Sequence, residues 1–160
     1  MTEQDIFYET DFSEETLIVS EPSVPYQILP HNADKKGIII PNGVMLESHE
    51  YMTAVFLTEL GHTIELIPKS EIDGVHTPDL IMDDDLKWEM KTPSGKSKST
   101  ISNQFRHASK QSSNLILDIR RMKRPNIQAM REASTQFELS KTIKRLWLIT
   151  KEGEILDFKK

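Results

Sequence analysis

The sequence predicts an α/β fold, a mixed central sheet flanked by helices, and three observations predict it. Apolar residues recur at helical spacing in three segments, short apolar or alternating runs of strand length lie between them, and Gly, Pro, Asn and Asp mark the junctions. Read in order, the segments from Leu46 onward give α-β-β-β-α-β-α-β-β, an order that layers helices on a sheet. At 160 residues the chain has the size of one domain, whose core can bury most of its apolar surface.

Residues 1–34 hold eight acids and no Lys or Arg, and Pro22, Pro25 and Pro30 interrupt them. That composition favours irregular or partly ordered chain, with one short strand expected around Tyr26–Leu29. The acidic segment could fold over a basic cleft or dock a partner; plain solvation is the simpler role. GIIIP (37–41) reads as a second short, buried strand. We therefore divide the chain into an acidic N-terminal extension, 1–40, and a folded domain, 41–160.

Within that domain, Met45, Tyr51, Met52, Val55, Phe56 and Leu60 fall near helical spacing, and Gly61 stands where a C-terminal helix glycine belongs. HTIELIP alternates as a half-buried strand does. After a polar turn, PDLIM and LKWEMK read as two strands joined by Asp83, Asp84 and Asp85. PSGKSKS is a basic loop, residues 100–112 a helix, and NLILDI a continuous apolar strand of the kind buried in the middle of a sheet. A long helix over 126–141 precedes a closing hairpin, KRLWLI and EILDF, turning at Thr150–Gly153.

Composition removes several classes of function. No apolar run approaches the length of a membrane span. The acidic start MTEQDIFYETDF lacks the basic and apolar parts of a secretory signal. With no cysteine there is neither a disulfide framework nor a thiolate metal site, which suits a cytoplasmic setting. Charge is distributed unevenly. Residues 1–86 carry 18 acids and 3 bases, and residues 87–160 carry 7 acids and 17 bases, so halves of net −15 and +10 make up the total of −5. Such asymmetry is a hint of nucleic-acid contact, although two solvated faces of opposite sign would look the same.

The chemically informative stretch runs from Pro78-Asp79 to Glu89-Met90-Lys91. Strand side chains alternate, so Glu89 and Lys91 share a face while Trp88 and Met90 face a core. If the two strands pair across Asp83–Asp85, Asp79 approaches Glu89. Two carboxylates side by side repel unless a cation relieves them. Mg²⁺, or another divalent cation such as Mn²⁺ or Zn²⁺, suits such a pair, because Mg²⁺ takes one or two protein carboxylates and fills its shell with water and phosphate oxygens. Lys91 would then orient or deprotonate a water, or neutralise charge on the phosphate under attack. Glu50, near the start of the first helix, is a third acid for this site, with Glu47 and His49 as competitors and a solvated first-turn acid as the plain alternative.

On the following helix Gln104, His107 and Gln111 share a polar face. That face, His107 included, is a candidate for contact with the scissile phosphate or a base, with a solvated helix face as the plain alternative. Lys96, Lys98, Arg106, Lys110, Arg120 and Arg121, with Lys123 and Arg124, are candidates for phosphate contacts. Trp88 and Trp147, each among apolar neighbours, read as core residues.

Glu50…Gly61…Pro78-Asp79…Glu89-Met90-Lys91 resembles the PD-(D/E)XK nuclease superfamily. The run KTPSGKSKSTISNQFRHASKQSSNLILDIRR resembles one branch in particular, the C-terminal tRNA-cleaving toxin domains of contact-dependent inhibition (CdiA-type) proteins. The likeness covers about residues 46–121 well and the last 40 loosely. It implies a restriction-endonuclease-like core in a nuclease-like domain over 41–160. It also implies metal held by Asp79, Glu89 and Glu50, catalysis by Asp79, Glu89, Lys91, Glu50 and Gln104, and tRNA as substrate. An immunity protein in the producing cell and delivery into a target cell's cytoplasm follow from the same likeness. DNA cleavage by the same fold, or a catalytically silent binding module, stand as alternatives, since fold does not fix substrate.

Overall fold

The computed structural model describes residues 26–28 and 37–160. Its elements are β1 (Tyr26–Ile28), β2 (Gly37–Ile39), α1 (Ser48–Glu59), β3 (Thr63–Leu66), β4 (Leu80–Met82), β5 (Leu86–Lys91), α2 (Thr100–Ala108), β6 (Asn114–Asp118), α3 (Asn126–Leu139), β7 (Arg145–Ile149) and β8 (Ile155–Lys159). Among the described residues the strands form one sheet of eight, ordered β1-β8-β7-β6-β5-β4-β3-β2. The run β5, β6 and β7 is parallel, as is β2 with β3, and every other pairing is antiparallel. The expected mixed α/β architecture is thus present, with the apolar strand β6 near the middle.

The alternation of each strand sends side chains into two separate cores. One gathers Ala54 and Leu57 of α1 with Ile64, Leu80, Trp88, Met90 and Trp147. The other gathers Ile101 and Phe105 of α2 and Ala133 and Phe137 of α3 with Leu115, Leu117 and Leu148. Helices therefore cover both faces, and both tryptophans are core residues, their rings 4.9 Å apart and tilted by 44°.

Several local expectations need correction. The buried face of α1 is Thr53, Ala54, Leu57 and Thr58, while Met45, Tyr51 and Met52 are exposed. Each buried hydroxyl there has a partner: Thr53 Oγ1 donates to Asp118 Oδ2 at 2.5 Å, and Thr58 Oγ1 donates to the Val55 carbonyl at 2.7 Å. Helix α2 ends at Ala108 rather than 112. Ser109 Oγ bonds the Arg106 carbonyl, a local alternative to the helical ladder that serine offers readily. Ile39 at the end of β2 and Ile40 just after it are about half exposed, at 51% and 48%, because this strand lies at the sheet edge. Leu29 and the acidic stretch 1–25 lie outside the described residues.

Candidate active site

The β4–β5 hairpin places the acids. Asp83 and Asp84 both take positive φ, at 54° and 59°, and the Asp85 N–H donates to the Met82 carbonyl at 3.0 Å. Asp tolerates that backbone region better than most residues. Asp83 also fixes the turn to the neighbouring strand, its carboxylate meeting the Thr63 N–H at 2.8 Å and His62 Nδ1 at 2.9 Å. The resulting register pairs Leu80 with Trp88, which puts Asp79 opposite Glu89. The Asp79 N–H donates to the Trp88 carbonyl at 3.0 Å, and Asp79 Oδ2 accepts from the Met90 N–H at 2.8 Å. The side chain of Asp79 is thereby pinned to β5.

Glu89 is 2% exposed. Its Oε2 lies 2.9 Å from Lys91 Nζ, while Oε1 is buried with no hydrogen-bond partner among the described residues. Burial, and after it the Asp79 charge, push the Glu89 carboxyl up to about 7 against the opposing pull of Lys91 and Lys69. A second lysine serves the other acid. Lys69 Nζ donates to Asp79 Oδ1 at 2.7 Å. Burial draws its pKa down, but the bond to Asp79 and the charges of Asp79, Glu89 and Glu50 outweigh this and raise it.

These groups line one cleft of about 430 Å³, with Glu50 and His49 at the start of α1, Thr92 after β5, Gln104 and Gln111 from and beyond α2, and Arg121 after β6. His49 bridges the rim, its Nδ1 2.5 Å from Thr92 Oγ1 and its Nε2 2.7 Å from Glu47 Oε1. Glu50 Oε1 accepts the Glu47 N–H at 3.1 Å, turning back toward the helix start. Arg121 donates through Nε and Nη2 to the Thr92 carbonyl at 3.2 and 3.0 Å.

So Asp79, Glu89, Lys91, Glu50, Gln104 and Arg121 come together. Lys96, Lys98, Arg106, His107, Lys110 and Arg120 are not part of the cleft lining. Arg120 forks onto Asp118, with Nη2 to Oδ2 at 2.8 Å, and stacks over Phe56 at 4.0 Å. Arg106 donates to Asn103 Oδ1 and, with Lys141, lines a separate recess of about 250 Å³ between α2 and α3. Lys98 and Arg131 line an adjoining recess of about 190 Å³ that shares Ser102 and Gln136 with it.

Sequence reading missed Lys69 and Thr92. The available signal for Lys69 was its rarity, as one of three bases in the first 86 residues.

Among the described residues no three His, Cys, Asp or Glu side chains form a ready metal cage. The donor set is instead two carboxylates, Asp79 and Glu89, one with a buried oxygen that no described residue satisfies. A hard dication that keeps much of its water and accepts phosphate oxygens fits such a pair, and the raised Glu89 pKa marks the repulsion it would relieve.

The profile of the contact-dependent growth inhibition CdiA C-terminal domain matches residues 76–155, a span that includes Asp79, Glu89, Lys91 and Gln104 but not Glu50 or Lys69. The fold is similar to a chain of the CdiA-CT/CdiI toxin and immunity complex from Burkholderia pseudomallei, with a TM-score of 0.54 and 16% identity over 78% of this chain and 100% of that one. No curated protein sequence matches.

Proposed function

Since the chain belongs to the contact-dependent growth inhibition CdiA C-terminal domain family, we propose that it is a metal-dependent nuclease toxin of PD-(D/E)XK type, with tRNA as its favoured substrate. The observation that carries this reading is the meeting of Asp79, just before β4, with Glu89 and Lys91 of the paired β5, where one buried Glu89 oxygen in an open polar cleft has no partner among the described residues.

Asp79 and Glu89 would hold the cation, Mg²⁺ or a relative such as Mn²⁺ or Zn²⁺, with Glu50 near enough to the cleft to contribute through water. When bound, that cation supplies Lewis acidity to the scissile phosphate. The protein's own groups do the remaining work. The Lys91 ammonium, anchored at Glu89, would orient the attacking water and offset charge that gathers on the phosphorus oxygens. Gln104 and Arg121 line the same cleft and offer N–H donors to the phosphate backbone. The toxin and immunity complex with a similar fold supports an immunity protein as a partner. No described helix is long and apolar enough to cross a membrane, and action inside a target cell's cytoplasm fits the family.

The test is incubation of the purified chain with bulk tRNA and with plasmid DNA, in Mg²⁺ and in EDTA. We expect discrete tRNA fragments in Mg²⁺ alone, and a loss of at least about a hundredfold in rate for Glu89→Gln and for Asp79→Asn. Undiminished cutting by Glu89→Gln would remove the mechanism. Cutting of plasmid but not tRNA would leave the nuclease and reassign its substrate.

A further inference from the structure

Each carboxylate oxygen of Asp79 has a donor. Oδ2 accepts from the Met90 backbone at 2.8 Å, and Oδ1 accepts from the Lys69 ammonium at 2.7 Å. The first donor belongs to the hairpin and cannot leave without opening it. The second can. The Lys69 side chain is 63% exposed, whereas that of Asp79 is 15% exposed. Lys69 lies on the connection between β3 and β4, outside both strands. A compact ammonium on a flexible stem that already reaches solvent retracts without disturbing the sheet.

Lys69 also stands at a focus. It lines the cleft together with Asp79, Glu89 and Glu50, the acids assigned to the cation in the reading above. Lys91 is arranged differently. It holds Glu89 Oε2, is only 23% exposed, and leaves Oε1 without a hydrogen-bond partner among the described residues, so Glu89 has an oxygen to offer while Lys91 stays. Asp79 Oδ1 has its ammonium to lose first. Two cations at one oxygen repel strongly at contact distance in a partly buried site.

Resting on the assignment of Asp79 and Glu89 as the cation pair, we propose that Lys69 sets the divalent-cation affinity of this cleft by occupying Asp79 Oδ1, so that a cation binds there only as the ammonium leaves. Lys69 is on this view a positioning residue whose removal improves one step, metal loading, rather than damaging it.

The experiment is calorimetric titration of the whole chain with MgCl₂ and with MnCl₂, comparing wild type, Lys69→Met and Lys69→Arg. We expect Lys69→Met to bind either metal roughly fivefold more tightly, the scale of one partly exposed ion pair. Lys69→Arg, which keeps a cation at Oδ1, should stay near wild type. A variant with a damaged site would bind more weakly, so the direction separates the two explanations. Equal affinities for Lys69→Met and wild type overturn the proposal and leave the Asp79–Glu89 pair intact. Absence of metal binding in all three overturns it together with the metal-dependent nuclease reading.

Discussion

Glu89 joins the chemistry of the cleft to the stability of the domain. Its carboxyl titrates near 7 in the native chain against an ordinary value of 4.5, so the native protein holds this proton more tightly than the unfolded one. The stabilisation from the bound proton is therefore full below about 4.5, falls as pH rises, and is gone once pH passes 7, where an anion must stay buried. In EDTA at about pH 8, Glu89→Gln should melt higher than wild type, by up to about 3 kcal/mol of stability. Near pH 4, below the ordinary carboxyl value, the difference should all but disappear. Thermal melts at the two pH values check this, and a variant less stable at both would show that Glu89 is held by its bond to Lys91 rather than strained by burial. A protein that keeps an acid where it weakens the fold has a use for it. The face shared by Glu89 and Lys91 was legible from strand alternation alone. Lys69 was not, because it lies in a connection whose path no periodicity dictates, and neither was the diversion of Arg120 into an ion pair with Asp118, two residues before it.

At the level of elements, two devices bring the cleft together. The three-aspartate turn sets the register that opposes Asp79 to Glu89, and α1 carries Glu50 and His49 to the rim. Helix α1 ends in a Schellman motif, with Gly61 at φ 102°, the Gly61 N–H on the Thr58 carbonyl and the His62 N–H on Leu57. This stop was readable from one glycine. What the sequence concealed is how the helix is held, since its inner face is half threonine and its apolar residues Met45, Tyr51 and Met52 look outward or precede it. The link is Thr53 to Asp118, two groups 65 residues apart, 1% and 2% exposed. Replacing the hydroxyl by a methyl takes one charge-assisted bond from the buried Asp118 Oδ2, which keeps the Arg120 guanidinium, while changing volume little. Thr53→Val should therefore lower the unfolding free energy by about 1–3 kcal/mol, read from urea midpoints at neutral pH. An unchanged midpoint would mean that Arg120 alone satisfies Asp118.

Across the whole molecule, the charge asymmetry acquires a shape. The +10 half supplies α2, α3 and their loops, and its cations divide between internal work and an outer surface. Arg120, Arg124 and Arg145 are paired with Asp118, Glu132 and Asp157. Lys98 and Arg131 line one recess and Arg106 and Lys141 the next, along the outside of the α2–α3 layer and apart from the cleft. If the substrate is a nucleic acid, such cations contribute through counterion release, which is independent of sequence and weakens steeply with salt. Reversing Lys98 and Arg131 together to glutamate should lower tRNA affinity, measured by filter binding in EDTA so that nothing is cut. It should also flatten the dependence of log affinity on log salt by about one to two units between about 50 and 200 mM. The Asp79–Glu89 geometry lies elsewhere on the sheet, so the residual activity of this variant at saturating tRNA should match wild type. A salt slope unchanged by the double reversal would assign these cations to solvation, and phosphate contact would then fall to Arg121 and Gln104 in the cleft.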